Sequence, residues 1–316
     1  MSALTELVER LRDSRGFRHK SDISRVLAHL PADAQPVAIG DDCAAIADGD
    51  GYLLFAIEGM VSDFVRSMPW FAGYSGVMVN VSDIYAMGGR PLAVVDALWS
   101  GNADDAGDVI AGMAAASAVY GVPVVGGHSN VRSDGAQLAV AILGRANKLL
   151  TSFDARPGDS LVMAVDLRGS FEEPYPFWNA SVGAPAGRAR ADFELLPALA
   201  EDGLCDAAKD ISMAGALGTA LMLLECSKAG ARIDLDALPR PVHVDFERWL
   251  TAFPSFGFVL SVRPQHVDEV LARFASRDIA SAVIGEVDAS REVVVTRADD
   301  AALLWNLNEA PFICAR

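Results

Sequence analysis

The 316-residue chain is poor in cysteine, and the four it has are scattered. Cys43, Cys205, Cys226 and Cys314 show no paired spacing. That excludes a zinc site built on close cysteine pairs, and a small disulfide framework as well. The usage fits a reducing cytoplasm. No uninterrupted apolar run approaches the ~20 residues of a membrane span. The opening residues, "MSALTELVERLRDSRG", lack the apolar centre of a secretion signal and read instead as an amphipathic helix. Basic residues are scarce: 26 Lys and Arg face 42 Asp and Glu, a net charge of −16. That balance disfavours non-specific contact with nucleic acid or an anionic membrane. Two phosphate-binding signatures are also missing, the G-x-x-x-x-G-K-[ST] loop and a full dinucleotide glycine fingerprint after a strand.

What is present is a large apolar fraction, 52%, and a length comfortable for two domains. The first half alternates strand-like and helix-like segments. Pro36–Ile39 reads as a strand entering a core. Tyr52–Ile57 reads as a strand buried on both faces. Residues 71–87 read as a helix that stops at Gly88-Gly89. Residues 91–99 read as a strand, 104–120 as a helix ended by Gly121, and "VPVVGG" and "AQLAVAILGR" as two more strands. The stretch 146–160 is rich in turn-forming and charged residues. It divides the chain into an N-terminal domain, 1–148, and a C-terminal domain, 149–316. The second half opens on the strand "LVMAVDL", followed by a long irregular loop at 168–187. Helices are expected at 188–201 and 212–229, and strands at 231–235, 257–262, 281–287 and 292–297.

Acidic residues recur after apolar strands and near one helix: Asp41, Asp42, Glu58, Asp83 and Asp210. Adjacent like charges such as Asp41 and Asp42 are tolerable if divalent cations neutralise them. Magnesium bridges carboxylates to phosphate oxygens. Asn80 and Asp83 are three apart on a helix, beside the buried stripe Val77, Val81 and Ile84. The same spacing fits a satisfied surface pair. The strand "VPVV" ends at Gly126-Gly127, followed by His128, Ser129 and Asn130. The glycines let a ligand approach the backbone, or simply make a tight turn. In "KDISMAGALG", Lys209 and Asp210 precede Ser212, a plausible helix cap. Gly215 and Gly218 then admit either a phosphate or a neighbouring helix.

Taken in order, "GDDCAAI", "NVSDIYAMGGRP", "GGHS" and "KDIS…GALG" resemble the AIR synthase-like superfamily, over residues 35–300. The resemblance implies a two-domain α/β fold. In it, the N-terminal domain pairs its sheet with that of a second subunit into a barrel-like dimer, and a C-terminal α/β domain closes over the site. It implies ATP and Mg2+ as cofactors and a small-molecule substrate. By position it implies Asp41, Asp42, Glu58, Asp83 and Asp210 as metal or phosphate-site acids. Asn80, Gly126, Gly127, Ser129, Lys209 and Gly215 would line the nucleotide site, with His128 and Asp83 catalytic. His128 is the best proton-transfer candidate.

The chain departs from the thiamine-monophosphate kinase branch at Met213, at His128 and at "FPSFGF" (253–258). It offers no N-terminal cysteine of the selenophosphate synthetase kind, only Arg18, His19 and Lys20. Cys314 lies near the end, where the carbamoyl dehydratase branch carries a reactive cysteine. Three functions follow as expectations. The leading one is an ATP- and magnesium-dependent enzyme that activates an amide or carbonyl oxygen by phosphoryl transfer. The alternatives are a small-molecule kinase and a nucleotide-binding partner protein without turnover.

Overall fold

The computed structural model describes residues 2–27 and 39–314. The strand expected at 36–39 lies outside them, except for Ile39, an exposed turn residue. The chain divides into two compact units. The first unit comprises Met1–Asp41, Leu150–Gly183 and Leu199–Arg316; the second comprises Asp42–Leu149 and Ala184–Ala198.

In chain order the elements begin with α1 (Ala3–Asp13), α2 (Arg15–Ser21) and α3 (Ile23–Leu27). Next come β1 (Ala44–Asp48), β2 (Gly51–Met60), α4 (Ser62–Ser67), α5 (Pro69–Ala86), β3 (Arg90–Trp99), α6 (Ala103–Tyr120), β4 (Val124–Asn130) and β5 (Gln137–Ala146). Then follow β6 (Ser160–Val165), β7 (Ser170–Phe171), β8 (Phe177–Asn179), α7 (Arg188–Phe193), α8 (Leu195–Glu201), β9 (Ala207–Asp210) and α9 (Gly215–Cys226). The chain continues with β10 (Gly230–Asp234), α10 (Phe246–Leu250), β11 (Phe253–Pro254), β12 (Gly257–Val262), α11 (Val267–Ala275), β13 (Ala280–Asp288), β14 (Glu292–Arg297) and β15 (Asp300–Asn306).

The second unit is built on a five-stranded sheet in the order β1-β2-β5-β3-β4. Its pairs are antiparallel except β3 with β4, which are parallel because α6 carries the chain back between them. Asn102 starts α6 by accepting the Asp105 amide at 2.9 Å. Gly121, at φ +67°, ends it in the left-handed region. Leu54, Ala56, Val94, Leu98, Val140 and Ile142 alternate along the strands onto one buried face. The other face is open in this chain: Phe55 is 49% exposed and Ile57 64%. This corrects the expectation that Tyr52–Ile57 is buried on both sides. The helices cover one side of the sheet only.

α5 is also more deeply set than a one-stripe helix. Every residue from Phe71 to Ala86 is buried. Glycine makes this possible. A Cβ on Gly73 would sit 1.9 Å from the Val109 carbonyl oxygen, and one on Gly112 would sit 1.8 Å from that of Trp70. α5 and α6 therefore cross at backbone contact. About one turn further on, Gly76 meets the Val140 side chain. Residues 184–198 close this unit. Phe193 stacks on Tyr85, and Glu194 accepts from Tyr85 and Arg90 at 3.1 and 2.8 Å. The single helix expected at 188–201 is two helices, α7 and α8.

The first unit carries a seven-stranded sheet in the order β15-β14-β10-β13-β6-β12-β9. α9 is buried along its whole length within this unit's core. α1 is amphipathic as the sequence reads, burying Leu4, Leu7, Val8 and Leu11. Its Arg12 donates to the Leu303 and Leu304 carbonyls of β15 at 2.6 and 2.7 Å. The long loop at 168–187 is partly ordered. Its β7 and β8 form a small sheet with β11, and Trp178 of β8 is buried edge-on against Trp249.

Candidate functional site

In the second unit, Asp42 precedes β1 and Asp83 lies in the buried body of α5. Each offers a carboxylate oxygen within 4.8 Å of the other's. Burying one carboxylate beside another is costly unless a cation or hydrogen bonds compensate. Two oxygens on one magnesium ion, each at ~2.1 Å, lie no more than ~4 Å apart. The pair thus fits a shared ion after a small side-chain adjustment, and two oxygen donors suit magnesium's preference for carboxylates. The acid group that the structure assembles includes neither Asp41 nor Glu58.

Asp41 belongs to the first unit and is engaged there. Its carboxylate accepts the Ser152 amide at 2.8 Å and the Ser152 hydroxyl at 2.6 Å. The Lys209 ammonium stands 3.9 Å away, with both side chains buried. Ser152 is tied in turn to α9, since Ser227 donates to its carbonyl at 2.8 Å. Asp41 thereby anchors the start of the 150–183 segment, with Lys209 as an ion-pair partner. Glu58 is not beyond a strand end. It lies inside β2, in register with Val140, and is exposed.

Asn80 is fully buried. Its amide nitrogen donates to the Gly76 and Val140 carbonyls at 2.7 and 3.0 Å, which pins α5 to β5. Its Oδ1 is buried without a hydrogen-bond partner. Gly126 and Gly127 are not a turn. They lie within β4, paired with Val95 and Asp96, and His128 and Ser129 continue the same exposed edge strand. The His128 ring stands 6.3 Å from that of Trp99.

In the first unit, Lys209 and Asp210 end the buried strand β9 rather than preceding a helix cap. Thr219 donates to the Asp210 carbonyl at 3.2 Å. Ser212 does not cap α9. Ala214 holds that position, and the Ser212 amide donates to the Thr219 hydroxyl. A Cβ on Gly215, which has φ +65°, would lie 2.0 Å from the Leu250 carbonyl oxygen. Its amide donates to Ser212. Helix packing, the other reading of this glycine, accounts for both facts.

One residue of interest escapes sequence reasoning. Asp96 interrupts the apolar strand β3 on the face of Val94 and Leu98. Its Oδ2 is buried without a hydrogen-bond partner, and burial pushes its carboxyl above the ordinary range. A Cβ on Gly127 would fall 2.1 Å from Asp96 Oδ1, so the glycine makes room for the acid. The available signal was a lone carboxylate within "PLAVVDALW".

The chain belongs to the AIR synthase related proteins. Their N-terminal domain matches residues 40–146 and their C-terminal domain residues 179–297. An uncharacterized protein of Synechocystis sp. is 48% identical over 313 residues, covering 98% of this chain and 97% of its own. The phosphoribosylformylglycinamidine synthase subunit PurL of Methanosarcina barkeri is 32% identical over 277 residues. That match covers 78% of this chain and 38% of PurL. Thermotoga maritima PurL, solved in complex with ATP, superposes with a TM-score of 0.76 at 20% identity. It covers 99% of this chain, which spans only 53% of that one. The fold is accordingly the two-domain α/β architecture of this family. Among the described residues, no helix is long and apolar enough to cross a membrane.

Proposed function

We propose that this chain is an ATP- and magnesium-dependent enzyme that activates an amide or carbonyl oxygen of a small molecule by phosphoryl transfer. The observation that carries the reading is the juxtaposition of Asp42 and Asp83. Magnesium held there would neutralise phosphate charge and hold the nucleotide. The protein's part in such chemistry is chiefly positioning and charge stabilisation. α5, immobilised by Gly73, Gly76 and Asn80, gives Asp83 a rigid base. The likeness to Thermotoga PurL, solved with ATP, supports ATP as the nucleotide. The family resemblance adds Asp210 to the acids and His128 as the proton-transfer group.

The same reading takes residues 1–148 and 149–316 as the two family domains. It also takes a second copy as the partner. The open face of the second unit's sheet, with Phe55, Ile57, Val95 and Leu143 exposed, is the surface such pairing would cover.

Phosphorus NMR of ATP and magnesium, incubated with the protein and a panel of small amides and alcohols, tests this reading. Loss of ATP to ADP and free phosphate, only with an amide or carbonyl compound present, supports it. A stable phosphorylated alcohol would make the protein a kinase. Untouched ATP across the panel, with nucleotide bound, would leave a binding protein.

A further inference from the structure

The first unit holds a pair of thiols that the proposed chemistry does not use. Cys226 is the last residue of α9, and Cys314 lies in the segment after β15. Their sulfur atoms are 3.9 Å apart, although 88 residues separate them in sequence. A buried carboxylate builds this approach. Glu225 accepts the amides of Phe312, Ile313 and Cys314 at 2.6, 2.7 and 3.2 Å. The buried Phe312 ring is packed between Phe17 and Trp305, at 5.5 and 5.2 Å. Cys314 is therefore held in place beside Cys226.

The two thiols are unequal. Cys226 is buried and Cys314 is half-buried. The Cys226 S–H, directed at the Cys314 sulfur, holds Cys314 below the ordinary thiol range. The same bond, with burial, pushes Cys226 above it. The Lys209 ammonium favours the thiolate of both, while Asp41 opposes it at Cys226 and Glu225 at Cys314. By contrast, Cys205 is buried, donates to the Ala207 and Ser261 carbonyls, and is pushed up to about 12.

We propose that Cys314 and Cys226 are a hydroperoxide-reactive dithiol that closes to a reversible disulfide. The Cys314 thiolate attacks the terminal oxygen of a hydroperoxide. The O–O bond breaks, the alkoxide takes up a proton and leaves as an alcohol (water, for hydrogen peroxide), and Cys314 becomes a sulfenic acid. Cys226 then loses its proton and attacks the Cys314 sulfur. The S–O bond breaks and hydroxide leaves as water. In total, two thiols are oxidised and one peroxide is reduced. The two sulfurs, already in contact at 3.9 Å, close to the ~2.05 Å of a disulfide.

The test treats the reduced full-length protein with equimolar hydrogen peroxide. Thiols are then alkylated under denaturing conditions and peptides mapped without reduction. The expected result is a fall from four alkylated cysteines to two, a cross-linked peptide containing Cys226 and Cys314, and full recovery with dithiothreitol. In Cys226→Ser, the Cys314 sulfenic acid should persist and take a dimedone label that the wild type does not. Four alkylated cysteines after peroxide, a cross-link between any other pair, or equal labelling of wild type and variant would overturn the proposal. The wild-type arm stands even if the variant folds poorly.

Discussion

The Asp41 carboxylate accepts both the amide and the hydroxyl of Ser152, at 2.8 and 2.6 Å. Its sequence neighbour Asp42 lies instead beside Asp83. Two consecutive acids thus have separate work: one ties down a chain segment, and the other belongs to the candidate cation site. Asp41→Ala removes the acceptor of two Ser152 donors and a carboxylate beside the buried Lys209 ammonium. Chemical denaturation should show a loss of about 1–3 kcal/mol.

Asp96 makes the stability depend on pH. Its folded-state pKa lies above the unfolded value because burial disfavours the charged form. The folded state then binds the proton more tightly. The contribution to stability is fully present below the unfolded carboxyl pKa of ~3.9 and is lost as pH rises through the folded value. Asp96→Asn should therefore raise the melting temperature near neutral pH, and the gain should shrink as the pH approaches 4. A gain that is the same at both pH values would contradict this assignment.

The crossing of α5 and α6 leaves no room for a methyl group at Gly73 or Gly112. The atoms in the way are backbone carbonyls, which cannot swing aside. Gly73→Ala should cost ~1–3 kcal/mol or more, as an overpacked contact. Gly107→Ala, on the same helix as Gly112 but with open space around its Cβ position, should be neutral or slightly stabilising. Thermal melts of the two variants give the comparison directly.

Glu225 holds the C-terminal segment through three amides. Glutamine keeps one acceptor oxygen and turns an N–H group toward the other donors. Glu225→Gln should destabilise the protein by about 1–3 kcal/mol. It should also expose the C-terminal segment to carboxypeptidase digestion, followed by intact mass.

Much of the second unit was legible in the sequence. The helix stop at Gly88-Gly89, α6 with its Gly121 end, and strands β3 and β5 follow from local chemistry that nothing in the fold overrides. What local chemistry does not reveal is which face of a strand finds a cover. Phe55 and Ile57 look like core residues in "YLLFAIEGM", yet the helices lie on the other side. The glycines of "VVGGHSN" look like a turn, but pairing with β3 carries the strand through them. β9 and β15 were missed. β9 is short, with a lysine and an aspartate in its four residues, and its burial comes from neighbouring β12.

The candidate site divides the same way. The family motifs place Asp42 and Asp83, which the structure brings together. They do not tell Asp42 from Asp41, because the difference lies in Ser152, 111 residues further on. Asp96 carries no motif at all. Its interest arises from burial and from the space beside Gly127, which only the folded sheet defines.

The central claim is that Asp83, with Asp42, holds the cation through which nucleotide binds. Calorimetric titration of ATP, with and without magnesium, into wild type and Asp83→Asn tests it most directly. The account predicts magnesium-dependent binding to the wild type, lost in the variant while its circular dichroism and melting profile stay native. Equal binding by both proteins, or binding indifferent to magnesium, would contradict it.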